Sequence, residues 1–189
     1  MRTRLGHRKL VSHDDAAGEA HVLTFSCYQR LQLLRLDSRC ELLAEAIDRA
    51  TETQRYELIA YVFMPEHVHL LVFPGDGATG IAKLLFAIKR PFSFRVKKQM
   101  MADGDPILSE LMIRDRPNHT SFRFWQAGPG YDRNIRQDST LRKAIDYIHR
   151  NPVRRGLVDE TGRWKWSSWR AYEEATSTSP TRPRVSVWC

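Results

Sequence analysis

Apolar and polar positions alternate with a period of two over His21–Tyr28: Leu23, Phe25 and Cys27 fall on one side, Val22, Thr24, Ser26 and Tyr28 on the other. Side chains on a strand point to alternate faces, and both sides here are fairly apolar, so the stretch predicts a central strand. The period then lengthens. Asp37 or Ser38 can cap a helix running to about Thr53, in which Leu42, Leu43, Ala46, Ile47 and Ala50 recur at helical spacing. Tyr56–Met64, rich in β-branched and aromatic residues, predicts a second strand, Pro65-Glu66 a tight turn, and His67–Phe73 a third strand that completes a hairpin. Helical spacing returns over residues 79–101 at Ile81, Leu84, Leu85 and Ile88, where Pro91 predicts a kink or two shorter helices. Residues 102–120 read mainly as loop and Ser121–Gln126 as a fourth, short strand. Asp138 can cap the last main helix, which carries Leu141, Ile145 and Ile148 and must stop near Asn151 because Pro152 follows. Trp164, Trp166 and Trp169 lie in a short segment expected to pack back on the domain.

The first six elements spell βαββαβ, which predicts an α+β ferredoxin-like sandwich with an additional C-terminal helix. Residues 1–19 form a basic N-terminal arm, 20–174 one domain, and 175–189 a Ser/Thr/Pro-rich tail expected to lack regular structure. The chain of 189 residues is long enough for one full core. Its net charge of +8 suits a polyanionic partner, nucleic acid being the commonest. Three widely spaced cysteines, Cys27, Cys40 and Cys189, argue against a disulfide framework and for a reducing, cytoplasmic setting. No secretory leader and no membrane-spanning run is read from the sequence.

Candidate chemistry starts at His67 and His69. Two apart on a strand, they face the same way, and two imidazoles side by side make half of a metal site; the plain alternative is a pair of polar residues on a solvent face. Tyr147 and Asn151, four apart on the last helix, share a face beside the Leu141–Ile145–Ile148 stripe. Alone, Tyr147 reads as a half-buried aromatic and Asn151 as a helix cap. Glu66 and His149 stand close in sequence to these residues, either to orient a ligand or simply as surface groups. Arg90, Arg95 and Lys97 on the second helix and Arg154 and Arg155 after the last are the cationic candidates for nucleic-acid phosphates, or a solvated face.

Several blocks, in order, carry a family resemblance: Met64-Pro65-Glu66-His67-Val68-His69-Leu70-Leu71-Val72, Phe124-Trp125-Gln126, Ile135-Arg136-Gln137-Asp138, Asp146-Tyr147-Ile148-His149-Arg150-Asn151-Pro152-Val153-Arg154-Arg155-Gly156-Leu157-Val158 and Trp166-Ser167-Ser168. Together they resemble the HUH-type single-tyrosine transposases, in their REP-associated tyrosine transposase branch, over about His21–Tyr172. Arg133 stands where the family pattern has histidine. The resemblance implies a ferredoxin-like sheet, His67, His69 and Asn151 as metal ligands, Tyr147 as nucleophile, and Mg²⁺ or Mn²⁺ as cofactor. It implies a single-stranded DNA endonuclease and strand transferase that works beside REP-like hairpins through a 5′-phosphotyrosine, as a monomer or homodimer at the bacterial nucleoid. Two other readings stand beside it. One is a non-catalytic, domesticated hairpin-DNA-binding protein. The other is a zinc hydrolase, which needs a third strong ligand beside His67 and His69.

Overall fold

The computed structural model describes residues 18–128, 130–173 and 183–188. The expected N-terminal arm, up to residue 17, lies outside the described residues. The chain enters strand β1 (Ala20–Ser26), passes through two single turns of 3₁₀ helix, and forms helix α1 (Asp37–Gln54). Leu36 holds the N-cap position with no side-chain hydrogen bond, so neither Asp37 nor Ser38 caps it; Asp37 instead opens the helix, where its charge suits the helix dipole. Strands β2 (Tyr56–Met64) and β3 (His67–Pro74) form the expected hairpin, and helix α2 (Ile81–Ala102) follows.

Helix α2 is a single helix through Pro91, not the two shorter helices that the proline could have produced. Pro91 is on the exposed side of the helix, so its ring displaces no core side chain, while Ile88 and Phe92 stay buried. Residues 102–120 are not simply loop: a single turn, α3 (Leu108–Leu111), leads into a separate hairpin of β4 (Met112–Arg116) and β5 (His119–Phe122). The fourth strand of the main sheet is therefore not Ser121–Gln126 but β6 (Tyr131–Ile135). Phe124 and Trp125 instead pack their rings on Phe92 beneath α2, and only a single bridge, Cys27 to Trp125, ties this stretch to β1.

The main sheet has the order β2-β3-β1-β6, every neighbour antiparallel, which is the ferredoxin-like arrangement. Both faces are covered. Leu23, Phe25, Val68, Leu70 and Val72 meet α1 and α2 in the larger core. Val22, Val62, Met64, Leu71 and Ile135 meet helix α4 (Asp138–His149) in the smaller one. A bulge at Ile59 in β2 puts Ile59 and Ala60 together on the α4 side, opposite Leu71. After α4 come a turn of helix, α5 (Asn151–Arg154), and a last one, α6 (Trp169–Glu173). No helix among the described residues is long and apolar enough to cross a membrane.

The outer edge of β2 is closed by the chain's own C-terminal half. Phe63 donates its N–H to the Trp166 carbonyl, and Ser168 donates to that of Tyr61. The tryptophan segment packs back as expected: Trp166 stacks on Phe63 and the Trp164 indole donates to the Phe63 carbonyl. Such pairing removes an edge that would otherwise invite aggregation. Residues 183–188, expected as part of an unstructured tail, are docked as well. Ser186 donates to the Leu58 carbonyl, and Trp188 lies on Phe73 with its centroid 4.9 Å away while joining the core under α4. Composition alone hid this, because Pro183, Val185 and Trp188 anchor the end of a stretch whose overall composition is Ser/Thr/Pro-rich. Replacing Trp188 by alanine should lower the unfolding free energy by about 2 kcal/mol, measured by urea denaturation, because it empties a half-buried aromatic site.

Candidate active site

Strand β3 and helix α4 converge at one end of the smaller core. His67 and His69 project from β3 toward α4, while Val68 between them is fully buried against α1 and α2. Both imidazoles are buried, at 5% and 6% exposure, so the solvent-face alternative fails. Their Nε2 atoms lie 3.0 Å apart. Each ring is oriented from behind: His67 Nδ1 is 3.0 Å from Glu66 Oε1, and His69 Nδ1 is 2.7 Å from Thr24 Oγ1 on β1. With each Nδ1–H donating to its oxygen, both Nε2 lone pairs point into the same small space, where they repel each other unless a proton or a cation lies between.

Asn151 and Tyr147 come from the other side. Helix α4 ends at His149, near Asn151 as expected from Pro152, which has no N–H to continue it, and Asn151 opens the short helix α5. Arg150 between them keeps right-handed helical angles, so the winding continues and the two side chains remain on one side. The Asn151 amide Nδ2 lies 3.3 Å from His69 Nε2, and a half-turn of the amide exchanges Nδ2 for Oδ1. The Tyr147 ring stands edge-on to His69 at 5.7 Å between centroids. It is 43% exposed, with the Arg154 guanidinium over it at 5.2 Å.

Two ligand atoms about 2.1 Å from a shared cation, at right angles, are about 3.0 Å apart. The His67 and His69 nitrogens match that spacing, and the Asn151 amide nearly does. The donor set therefore fits a divalent ion with mixed nitrogen and oxygen ligands. Among the described residues no three His, Cys, Asp or Glu side chains cluster to hold a metal, so the third strong ligand of a zinc hydrolase is not found there.

Glu66 is a buried hub, not a surface group. Its Oε1 receives His67, Arg30 at 3.2 Å and Arg155 at 3.1 Å. Burial by itself would raise its pKa, but His67, its own backbone N–H and Arg155 outweigh that and hold it below the usual carboxylate range. Burial lowers the His67 pKa against the opposing pull of Glu66, and lowers that of His69 to about 3, so both rings are neutral at pH 7. His149 is buried too, but it faces away from the site: its Nε2 is 2.8 Å from Ser168 Oγ and its ring packs on Tyr172.

Beside His69 and Tyr147 opens a cleft of about 650 Å³, lined also by Thr24, Tyr131, Arg133 and Lys143. Gly130, next to the lining residue Tyr131, has a φ of +84° and approaches the Thr24 carbonyl too closely to leave room for a Cβ. Local sequence patterns single out none of Tyr131, Lys143 and Thr24 for this cleft, and Arg133 stands out only as a departure from the family pattern. Of the cationic candidates, Arg154 and Arg155 stand at the site. Arg90, Arg95 and Lys97 do not, since α2 covers the opposite face of the sheet, and Arg95 is paired with Glu45 at 2.6 Å. The buried Cys27 thiol, pushed up to about 12 by burial, offers no competing nucleophile.

The fold and this cleft define the class: a ferredoxin-like α+β domain with two neutral histidines, an asparagine and a tyrosine at one end of its sheet. No family model matches the chain. By sequence it is similar to REP-associated tyrosine transposases. It is 25% identical over 140 residues to the REP-associated tyrosine transposase of Escherichia coli (strain K12), covering 74% of this chain and 69% of that protein. It is also 25% identical over 123 residues to a protein named "Putative REP-associated tyrosine transposase" from Haemophilus influenzae (strain ATCC 51907 / DSM 11121 / KW20 / Rd), covering 65% of this chain and 64%, under two thirds, of that protein. The solved structure of a REP-associated tyrosine transposase bound to a REP hairpin has the same fold, with a TM-score of 0.67 and 21% identity over 96% of this chain and 95% of that one.

The depressed histidine pKa values set a sign for stability against pH. The His149 pKa is lowered from 6.5 to about 4 by burial, so its contribution is whole above pH 6.5 and is lost as pH falls toward 4, where the unfolded chain takes up the proton first. One such ring withdraws about 1.4 kcal/mol per pH unit inside that window. Urea midpoints should fall steadily from pH 6.5 to 4, and less steeply in His149→Gln.

Proposed function

We propose that this chain cuts and rejoins single-stranded DNA beside a hairpin by covalent catalysis from Tyr147. The observation that carries this reading is the meeting of the His67 and His69 Nε2 atoms, the Asn151 amide and the Tyr147 ring, with His69 and Tyr147 lining a solvent-reachable cleft. The sequence relationship to REP-associated tyrosine transposases supports it.

His67, His69 and Asn151 would hold a divalent cation without adding negative charge to it, which leaves its attraction for phosphate undiminished. Bound there, Mg²⁺ or Mn²⁺ supplies charge that polarises a phosphodiester and fixes it for in-line attack. The protein's own groups do the rest. Glu66 and Thr24 hold the imidazoles in the tautomer that turns Nε2 inward. Arg154, over the Tyr147 ring, favours the phenolate that develops on attack. The Tyr147 oxygen bonds to phosphorus, the bond from phosphorus to the 3′ oxygen breaks, and the phenol's proton ends on the new 3′-hydroxyl. The 5′-phosphotyrosine keeps the bond energy, so a different 3′-hydroxyl can reverse the step and join new strands without ATP. Arg133 and Lys143 supply phosphate contacts in the cleft, and Tyr131, 56% exposed, a face on which a base stacks.

Tyr147→Phe should abolish the covalent protein–DNA adduct, read as a band shift on a denaturing gel, with hairpin binding unchanged. EDTA should block the adduct in the parent protein and Mg²⁺ or Mn²⁺ restore it. Undiminished cleavage by Tyr147→Phe would overturn the assignment, and hairpin binding with no adduct under any divalent metal would leave a non-catalytic DNA-binding protein.

A further inference from the structure

Helix α2 has a second face that the proposed chemistry does not use. Over Ile81–Ala102 it carries six Lys and Arg residues and no Asp or Glu. Its inner side is fully engaged, with Leu84, Ile88, Phe92 and Val96 buried against α1 and the sheet. Along its outer side runs an alternating ridge: Lys83, Phe86, Arg90, Phe94, Lys98, Met101, all exposed. Steps of three and four residues keep these six within an arc of about 120°. Phe86, Phe94 and Met101 are 59%, 73% and 62% exposed, a contiguous apolar series where a soluble helix ordinarily shows water-loving groups. Arg90 already lies over the Phe86 ring at 5.2 Å.

We infer that this ridge is a binding surface for single-stranded nucleic acid, separate from the Tyr147 cleft and on the opposite face of the sheet. Cations at regular intervals track a phosphate backbone, and aromatic rings set between them give unpaired bases a surface to stack on. A duplex fits less well, because it presents sugar and phosphate outward and keeps its base faces stacked inside. A second copy of the chain fits less well again: ridge against ridge would crowd Lys83, Arg90 and Lys98 of both copies into one interface, with no acid on the helix to relieve them. Charge complementarity thus selects a polyanion, and the exposed rings select an unpaired one. Of the α2 cations chosen from the sequence, Arg90 belongs to this ridge, whereas Arg95 is held by Glu45 and Lys97 lies toward the Phe122 ring.

The test is fluorescence anisotropy with labelled oligo(dT) long enough to span the helix, against a blunt duplex of equal length. Both are titrated onto protein in the Tyr147→Phe background, so that non-covalent binding is read whether or not the strand-transfer reading holds. Phe86→Ala with Phe94→Ala should weaken oligo(dT) binding by about ten-fold or more, with duplex binding unchanged and the thermal melt unaltered. Phe94→Trp should keep the affinity. Equal oligo(dT) affinity in the double variant and its parent would overturn the inference. So would an equal loss on the duplex, or a parent protein whose concentration-dependent self-association, followed by ultracentrifugation without DNA, disappears in the double variant.

Discussion

The two-residue period of strand β3 is the constraint on which the rest depends. Both faces of this strand are buried, so each residue is committed to one of two cores. Val68, Leu70 and Val72 serve the core under α1 and α2; His67, His69 and Leu71 face α4. A slip of one residue would drive both imidazoles among Leu23, Ile47 and Ile88 and bring Val68 out to the site. The apolar half of the strand therefore fixes the register of its polar half, and the position of two ring nitrogens is secured by packing energy that no polar contact has to provide.

Burying two histidines and a glutamate has a cost, and the surrounding groups show how it is met. Glu66 Oε1 gathers His67, Arg30 and Arg155, three groups from three separate segments, so a buried negative charge is compensated on every side. Arg155 follows Asn151 by one turn, so the same carboxylate that orients His67 also pins the segment carrying the third candidate ligand. Neutral histidines avoid a second desolvation cost and are also the only form that can offer a lone pair to a cation. Stability and ligand chemistry ask for the same protonation state here.

Much of this was legible locally, and what was not has a common physical origin. The hairpin of β2 and β3 could be read because alternation, turn and β-branched content agree over a short stretch. Strand β6 could not: Tyr131, Asp132, Arg133 and Asn134 are polar because it is an edge strand whose one face borders the cleft, while Asp132 meets His21 and Asn134 meets Glu19. The apolar run Phe122–Trp125 looked more like a strand, yet its rings serve the core under α2. His149 and Trp188 were misread for a related reason. Their burial depends on Ser168, Tyr172 and Phe73, distant in sequence, and no periodicity carries that information. The tyrosine and asparagine of the site were visible as a spacing of four, but the pairing of His69 with Thr24 is set by β-sheet register between separate strands.

The two faces of the sheet also differ in what covers them, and that bears on where Tyr147 can reach. Helices α1 and α2 together cover one face; the other is covered by α4, with Ile145 and Ile148 buried and Leu141 and Ala144 partly so, and by Trp164, Tyr172 and Trp188. His149 ties the end of α4 to Ser168, and Trp188 fills the space beneath its first turns. Both restraints come from the chain after the helix, which returns to close the edge of β2. The 5.7 Å between the Tyr147 and His69 rings is thus set as much by the C-terminal segment as by α4 itself. Tyr147 lies on the exposed side of that helix, beside the cleft. Bracing the helix from its far side restrains the tyrosine while leaving the cleft open.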